Sequence, residues 1–279
     1  TIPWEGMPPS DYAGTLNVFE WGGYENPDLW NAGKYAFHRI YPKVEVKFSF
    51  FVDEAEALTK LQAGFRPDIA HPCGASVPRW VDAGVMDSAV EVTSIAALAA
   101  GIPEEQVWNM APAQLELVRQ KLMEQKQGGM IRFYWKVPAD TIAAMQKGEI
   151  VAAEIWGEEY ATLTTAGVNV TFSFPREGIL AWVCGLTIAE GLKARNPDLY
   201  KIAHAYMNTW IQPETGANLI DSFAYGDANK DAYKVATRQD TVTLLGFDNP
   251  ATLDKVNLWK YTPNEPEWWR IYGEVKVDP

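Results

Sequence analysis

Glu154 stands inside an otherwise apolar run, IVAAEIW over residues 150–156. A carboxylate there needs a partner or a function, because burying a lone charge is costly. Period-two alternation puts Glu154 and Trp156 on one face of an expected strand. A second pair of interest lies in IRFYWK, where Arg132 and Trp135 stand close together. Arg is suited to gripping a carboxylate through two parallel hydrogen bonds. Tryptophan is abundant, with 12 copies beside 12 Tyr and 11 Phe. Its flat face can wall an apolar cleft or hold a cation, although most large aromatics stabilise cores. Trp30, Trp80, Trp108 and Trp210 stand at apolar helical spacing and are read as structural. Trp259, Trp268 and Trp269 lie in the tail, as packing or cover.

Groups able to break covalent bonds are scarce. The histidines are His38, His71 and His204, and the cysteines are Cys73 and Cys184. His71 and Cys73 are too close in sequence for a relaxed base–nucleophile pair. No zinc-ligand spacing, P-loop or G-x-S-x-G nucleophile turn is present, and GGYENP is not a dinucleotide-binding fingerprint. An enzyme is therefore not expected, and neither is a cofactor or metal. The net charge of -12 argues against a nucleic-acid partner. No apolar run of about 18 residues is present to span a membrane. The start, TIPWEGMPPSDYAG, has no basic and apolar leader and reads as a mature N-terminus or a start lacking its Met. Two cysteines allow one disulfide or two free thiols.

The elements that must position these residues alternate. TLNVFEW (15–21) and KVEVKFSFF (43–51) have strand periodicity, with a helix expected over 28–41 between them. DEAEALTKLQAG (53–64) has first-turn acids and a closing Gly, which predict a helix. A short buried strand, PDIAHPC (67–73), and a short helix at 75–86 follow. This βαβαβα order predicts an α/β sheet with ligands at the carboxyl ends of its strands, where Trp21 to Tyr24 and His71 to Ala75 lie. A second run follows: helices at 88–101, 111–127, 139–148 and 158–167, and strands at 130–135, 149–157 and 168–174. WVCGLTIAE returns as a strand, helices follow at about 197–211 and 213–222, and the Trp-, Pro- and Tyr-rich tail from 239 reads as a wrap across other elements.

The order of LNVFEWGGY, VEVKFSFFVDEAEALTKLQAG, PDIAHPC, VDAGVMD, GEIVAAEIWGEEYATLTTAGVNVTFSFPREG and WVCGLTIAE resembles the extracellular solute-binding proteins of the spermidine/putrescine type, which serve ABC importers. The likeness runs from residue 15 to about 235. It implies a two-lobed (type II) periplasmic-binding-protein fold of the α/β class, with a mixed sheet and flanking helices in each lobe. Residues 1–86 with 183–240 would form lobe 1 and 87–182 lobe 2, and 241–279 would cross between them. It implies a cleft lined by Trp21 and Tyr24, Cys73 after the Pro of HPC, Glu91 of the helix start DSAVEV, Trp156 and Trp182. A looser match puts Lys260 at the cleft edge. Arg132 and Trp135 fall at a strand end facing the same cleft. Cys73 and Cys184 map beside one ligand region, which leaves a disulfide suited to an oxidising periplasm or two buried thiols. The implied protein is periplasmic, freed of its signal peptide and expected to be monomeric, with an inner-membrane ABC permease as partner.

The departures narrow the ligand. Polyamine binders place an acid where this chain has Cys184, and another where it has Ser88. Without those anions a dication loses paired charge. The expected ligand is a zwitterion, its carboxylate on Arg132 and its ammonium near Glu91 or Glu154 and over Trp faces; the HPC and WVCG stretches resemble those of the GABA-binding receptors of this family, which implies GABA or another ω-amino acid. The alternatives are a polyamine or a betaine-like cation. Each site residue also has a plainer role open to it. Arg132 suits an exposed surface pair, and Glu91 suits a first-turn acid favoured by the helix dipole. A second departure lies at Met86–Asp87. There two motifs abut that the family separates by roughly 60–70 residues, within two-domain sizes that are ordinary. The resemblance implies that a stretch with an inner strand of the second lobe is missing between them.

Overall fold

In the computed structural model of the chain, residues 6–73, 89–129, 131, 133–135 and 137–277 are described. The first core forms around β1 (Gly14–Trp21). Leu16, Val18, Phe19 and Glu20 are all buried, so both faces of the strand are covered, as in a parallel sheet. The expected helix over 28–41 is two short ones, α1 (Pro27–Trp30) and α2 (Phe37–Ile40). The chain breaks between them at Gly33, whose φ of +75° favours glycine. β2 (Val44–Phe51) pairs parallel with β1 in full register, from Gly14 opposite Val44 to Trp21 opposite Phe51.

Helix α3 (Glu54–Gln62) starts as its sequence dictates, with the Asp53 carboxylate accepting the Glu56 N–H at 2.7 Å. β3 (Ile69–Ala70) pairs parallel with β1 on its other side. The expected helix at 75–86 and the Met86–Asp87 junction lie outside the described residues.

The second core is mainly helical. Helix α4 (Ala89–Ala99), the single turn α5 (Glu104–Val107) and α6 (Pro112–Gln127) bury Val90, Trp108, Met110 and Val118. α7 (Pro138–Gln146) and α8 (Gly157–Thr165) follow, both where periodicity places them. The expected strands at 130–135, 149–157 and 168–174 differ: their described residues belong to no sheet. Period-two patterning makes a strand only where a neighbour accepts its ladder hydrogen bonds. Here no such neighbour is present among the described residues, so the mixed sheet expected in the second lobe is not formed there. A cavity of about 750 Å³ opens between these segments and the apolar sides of α4 and α6. Ile95, Phe133 and Val151 are left exposed around it.

The chain then returns to the first core. β4 (Ile179–Ala181) leads through Trp182 to Cys184, which bridges Cys73, and β5 (Thr187–Ile188) pairs antiparallel with β3. The sheet order is β2-β1-β3-β5. The turn α9 (Leu192–Arg195) and helix α10 (Pro197–Trp210) cover it, and Asn196 caps α10 by accepting the Leu199 N–H at 3.0 Å. α11 (Pro213–Phe223), α12 (Ala232–Val235) and α13 (Gln239–Leu245) extend this layer. The tail is more than a wrap. Its β6 (Val256–Leu258) pairs parallel with β4, and α14 (Glu265–Val277) packs on α4 and α6, burying Trp268, Ile271 and Val275.

Amide exchange reads the contrast between the two cores. The N–H groups of 150–154 are expected to exchange about 1000-fold faster than those of Val18 and Phe19, because local openings span nearly zero to the global stability. Equal protection would show that these segments are paired.

Candidate functional site

The carboxyl ends of β1 and β3 meet at Trp21. Its backbone N–H donates to Glu20 Oε1 at 2.9 Å, and its indole Nε1–H donates to the His71 carbonyl at 2.9 Å. The ring packs on Phe51, with centroids 4.4 Å apart. The turn Gly22-Gly23 brings Tyr24 back over the sheet end, where it stacks on Phe223 at 5.3 Å and meets the His71 ring edge-on at 5.5 Å. Burial, then the charges of Glu20 and Glu158, push the Tyr24 phenol well above its ordinary range. The Glu158 effect shows that the first turn of α8 faces Tyr24.

Cys73 is buried and disulfide-bonded to Cys184, with Cα atoms 3.9 Å apart. Its backbone N–H donates to Glu54 Oε1 at 2.9 Å, and Gly185 N–H donates to the Pro72 carbonyl at 3.2 Å. The bond therefore fixes the residues just beyond Trp182 against the end of β3. It also removes the one thiol that a nucleophilic mechanism would need.

From the other side, the Trp135 indole donates to the Glu154 carbonyl at 2.9 Å and sets its ring edge-on to Trp156 at 5.1 Å. Trp156 meets Trp182 at 6.1 Å, and Trp182 meets Tyr225 at 5.6 Å. Tyr225 stacks on Phe223 at 5.9 Å, and Phe223 on Tyr24. A continuous run of rings thus joins the sheet end of the first core to the non-sheet segments of the second. Trp259 adds to it through Trp182, at 5.7 Å.

The carboxylates at the second-core end run from exposed Glu154 through half-buried Glu158 to buried Glu159. Burial pushes Glu158 up. Glu154 is pushed up to about 7 by desolvation, against a smaller opposing hydrogen bond from Trp135. Its side chain still reaches solvent, and that water limits the rise. Glu159 is wholly buried and also raised to about 7 by desolvation. It accepts the Trp156 N–H at 3.0 Å and lies 3.3 Å from the Thr141 hydroxyl, so it caps α8 and holds Trp156 at the helix start.

Of the sequence candidates, Trp21, Tyr24, Trp135, Trp156 and Trp182 are linked by this geometry, with Glu154 and Cys73 at its margins. Glu91 lies on α4, but its side chain is not among those described, and Arg132 lies outside the described residues. Lys260 pairs instead with Glu104, at 3.3 Å on the surface, so the tail presents Trp259 to the run of rings rather than a cation. The 750 Å³ cavity touches Trp135 and Glu154 but none of the first-core residues. Its walls are mainly apolar helix sides and unpaired chain, which makes it a gap in the second core rather than the cleft. Sequence reasoning missed Glu20, Glu158, Phe223 and Tyr225. Glu20 carries the signal that singled out Glu154, a charge inside an apolar strand. Among the described residues no cluster of side chains could hold a metal ion, and no helix is long and apolar enough to cross a membrane.

A mixed α/β chain with its aromatic site at strand ends and at a crossing between two cores has the build of a binding protein. It belongs to the bacterial extracellular solute-binding protein family, whose model matches residues 52–245. It is thus a solute-binding protein that works outside the cytoplasm, and it is not an enzyme. No curated protein sequence matches it significantly. Solved structures share the fold at low identity. The Atu4243 GABA receptor has a TM-score of 0.70 at 14% identity, with 95% of this chain and 98% of that one covered. A putative spermidine/putrescine ABC transporter from Listeria monocytogenes has a TM-score of 0.68 at 14% identity, with 95% and 99% covered. The binding protein MotA from A. tumefaciens B6, in complex with glucopine, has a TM-score of 0.66 at 17% identity, with 94% and 99% covered.

Glu159 has a consequence for stability. Its folded pKa lies above its unfolded value, so the folded state binds the extra proton between about pH 4.5 and 7. Its contribution to stability is then lost as pH rises through that window, by on the order of 2–3 kcal/mol. Glu159→Gln, which keeps an acceptor for the Trp156 N–H, is expected to remove that slope from the melting temperature measured between pH 4.5 and 7.5. An unchanged slope would place the titration elsewhere.

Proposed function

We propose that the chain captures a small zwitterionic amine, such as GABA or another ω-amino acid, between two lobes that close on it. The observation that carries this is the run of rings from Tyr24 to Trp135 with Glu154 and Glu158 at one end. Indole faces and carboxylates together suit an ammonium, which they hold by cation–π attraction and paired charge. Trp21, Tyr24, Trp156 and Trp182 would form the walls, with Cys73 at the floor. Arg132 would anchor the carboxylate, and Glu91 or Glu154 would face the ammonium. Lobe 1 would comprise 1–86 with 183–240 and lobe 2 would comprise 87–182, with the tail between them. Closure would strip water from the charged pairs and so strengthen them. The folds it resembles include a GABA receptor and a glucopine complex, which agrees with an amine-bearing ligand but does not choose one.

Cys184 bears on the polyamine alternative. Polyamine binders of the type the sequence resembles keep an acid at that position, and here it is committed to a disulfide and offers no charge. A betaine-like cation is the second reading, favoured by the adjacent Trp156 and Trp182 faces.

A thermal-shift screen over GABA, putrescine, spermidine, proline and glycine betaine decides among these, because a ligand of the native state raises apparent stability by mass action. GABA is expected to raise the melt by several degrees, and Arg132→Ala to remove most of that shift. A shift with polyamines alone would overturn the zwitterion reading. Acidity supplies a separate check. Glu154, raised to about 7, is ionised above that pH and neutral below it. The affinity for an ammonium ligand, measured by calorimetry, is therefore expected to fall several-fold from pH 8 to pH 6. Glu154→Gln should give the low value throughout.

A further inference from the structure

Glu20 and His71 are absent from the walls just described, yet they are the most tightly joined buried polar pair in the first core. Glu20 is fully buried and His71 is 7% exposed, and Nδ1 of the ring lies 2.6 Å from Glu20 Oε1. That same oxygen accepts the Trp21 backbone N–H, while the His71 carbonyl accepts the Trp21 indole N–H. Both polar hydrogens of Trp21 are thus held by this pair of residues. Tyr24 is fixed through the same imidazole, which it meets edge-on, and Trp210 closes the far side, 5.8 Å from the His71 ring and 6.0 Å from Tyr24.

A second observation sets the pair apart from ordinary core. Glu20 Oε2 is buried without a hydrogen-bond partner. Tyr206 feels the Glu20 charge, and its phenol is raised by burial and then by that charge, against a smaller opposing hydrogen bond from the Trp210 side chain. A buried carboxylate with one oxygen unsatisfied costs free energy that an apolar isostere would not, so the pair is a poor device for stability alone. The titratable groups that face it are Tyr24 from the turn after β1, Tyr206 from α10, Glu158 from α8 across the rings and Glu54 from α3 behind Cys73. Burial raises both phenols and Glu158.

We propose that Glu20 and His71 act as a positioning pair, holding Trp21 and Tyr24 at the sheet end in the orientation the cleft requires without touching the ligand. Its functional half rests on the ligand-capture reading above, whereas its structural half does not. If the pair is cut, Trp21 loses the acceptor for its backbone N–H, and Tyr24 loses the ring that fixes its tilt.

The test uses ¹⁵N-labelled protein and needs no ligand. The Trp21 indole Nε1–H resonance, assigned by Trp21→Phe, is followed by its exchange rate. In the wild-type protein we expect it to be protected. In Glu20→Leu, which removes the acceptor, and in His71→Phe the protection of this one indole should fall about tenfold. His71→Asn, whose amide can donate where Nδ1 does, should restore protection. The indoles of Trp108 and Trp268 in the second core should not change. Unchanged Trp21 protection in the first two variants would overturn the proposal. So would a fall shared equally by Trp108 and Trp268, which would mean general loosening. GABA affinity is measured in parallel. A tenfold loss in the two variants extends the role to capture. No GABA binding by wild type, with the indole result intact, overturns the ligand reading and leaves the positioning role standing.

Discussion

The pairing of β5 against β3, locked by the Cys73–Cys184 bond, is the constraint on which the site depends. It makes β3 a shared strand, parallel to β1 on one side and antiparallel to β5 on the other. It closes a loop spanning 111 positions that contains most of the second core. In the chain-entropy account a loop of that size stabilises the native state by about 4–5 kcal/mol, although how such stabilisation arises is model-dependent. It also fixes position. Cys184 can touch Cys73 only if Trp182, two residues earlier, leaves the sheet at the strand ends. There it meets Trp156, Tyr225 and Trp259. The Cys73–Cys184 bond therefore holds Trp182 in place.

The two cores are built on different principles. In the first, β1 is paired on both edges and buried on both faces, so its polar groups are satisfied within the sheet. In the second, cohesion comes from helices, with α14 filling the space between α4 and α6. The tail thereby completes the second core twice, once through α14 and once through β6 on β4, whose Leu180 packs there with Trp259. Rings rather than backbone ladders carry the connection at the site. Such an arrangement can slide or tilt at little cost, because ring contacts are weakly directional compared with hydrogen bonds.

Local patterns made much of the first core legible. Asp53 and the first-turn acids define α3, Asn196-Pro197 opens α10, and alternation marks β1 and β2. Those signals are carried by the residues themselves. The break between α1 and α2 was missed because a glycine inside a helical pattern becomes a stop only when tertiary contacts choose its left-handed conformation. The strands expected at 130–135, 149–157 and 168–174 failed for the opposite reason, since their patterning is right but a strand exists only with a neighbour. At the site, Trp156 and Trp182 were legible from the order of motifs. Phe223 and Tyr225 were not, because they reach the rings from the end of α11 and carry no local mark. Lys260 was misplaced by one residue's worth of direction: Trp259 turns inward and Lys260 outward to Glu104.

The acid–base character of the site follows from desolvation. Glu154, Glu158 and Glu159 are raised chiefly by desolvation, and Tyr24 is raised by burial and by acids on both sides. A set of acids disfavoured in their ionised state has a direct counterpart in a cation. An ammonium placed among them stabilises the ionised forms, lowers the pKa of the acid it meets and displaces a proton. Under the proposed function, capture of an amine at this end of the run of rings would be coupled to proton release near neutral pH. The same surroundings leave a neutral ligand without that gain, since it would bury against the rings while the acids stayed protonated. Selectivity for charge would then rest on the carboxylates together with the desolvation that raises them.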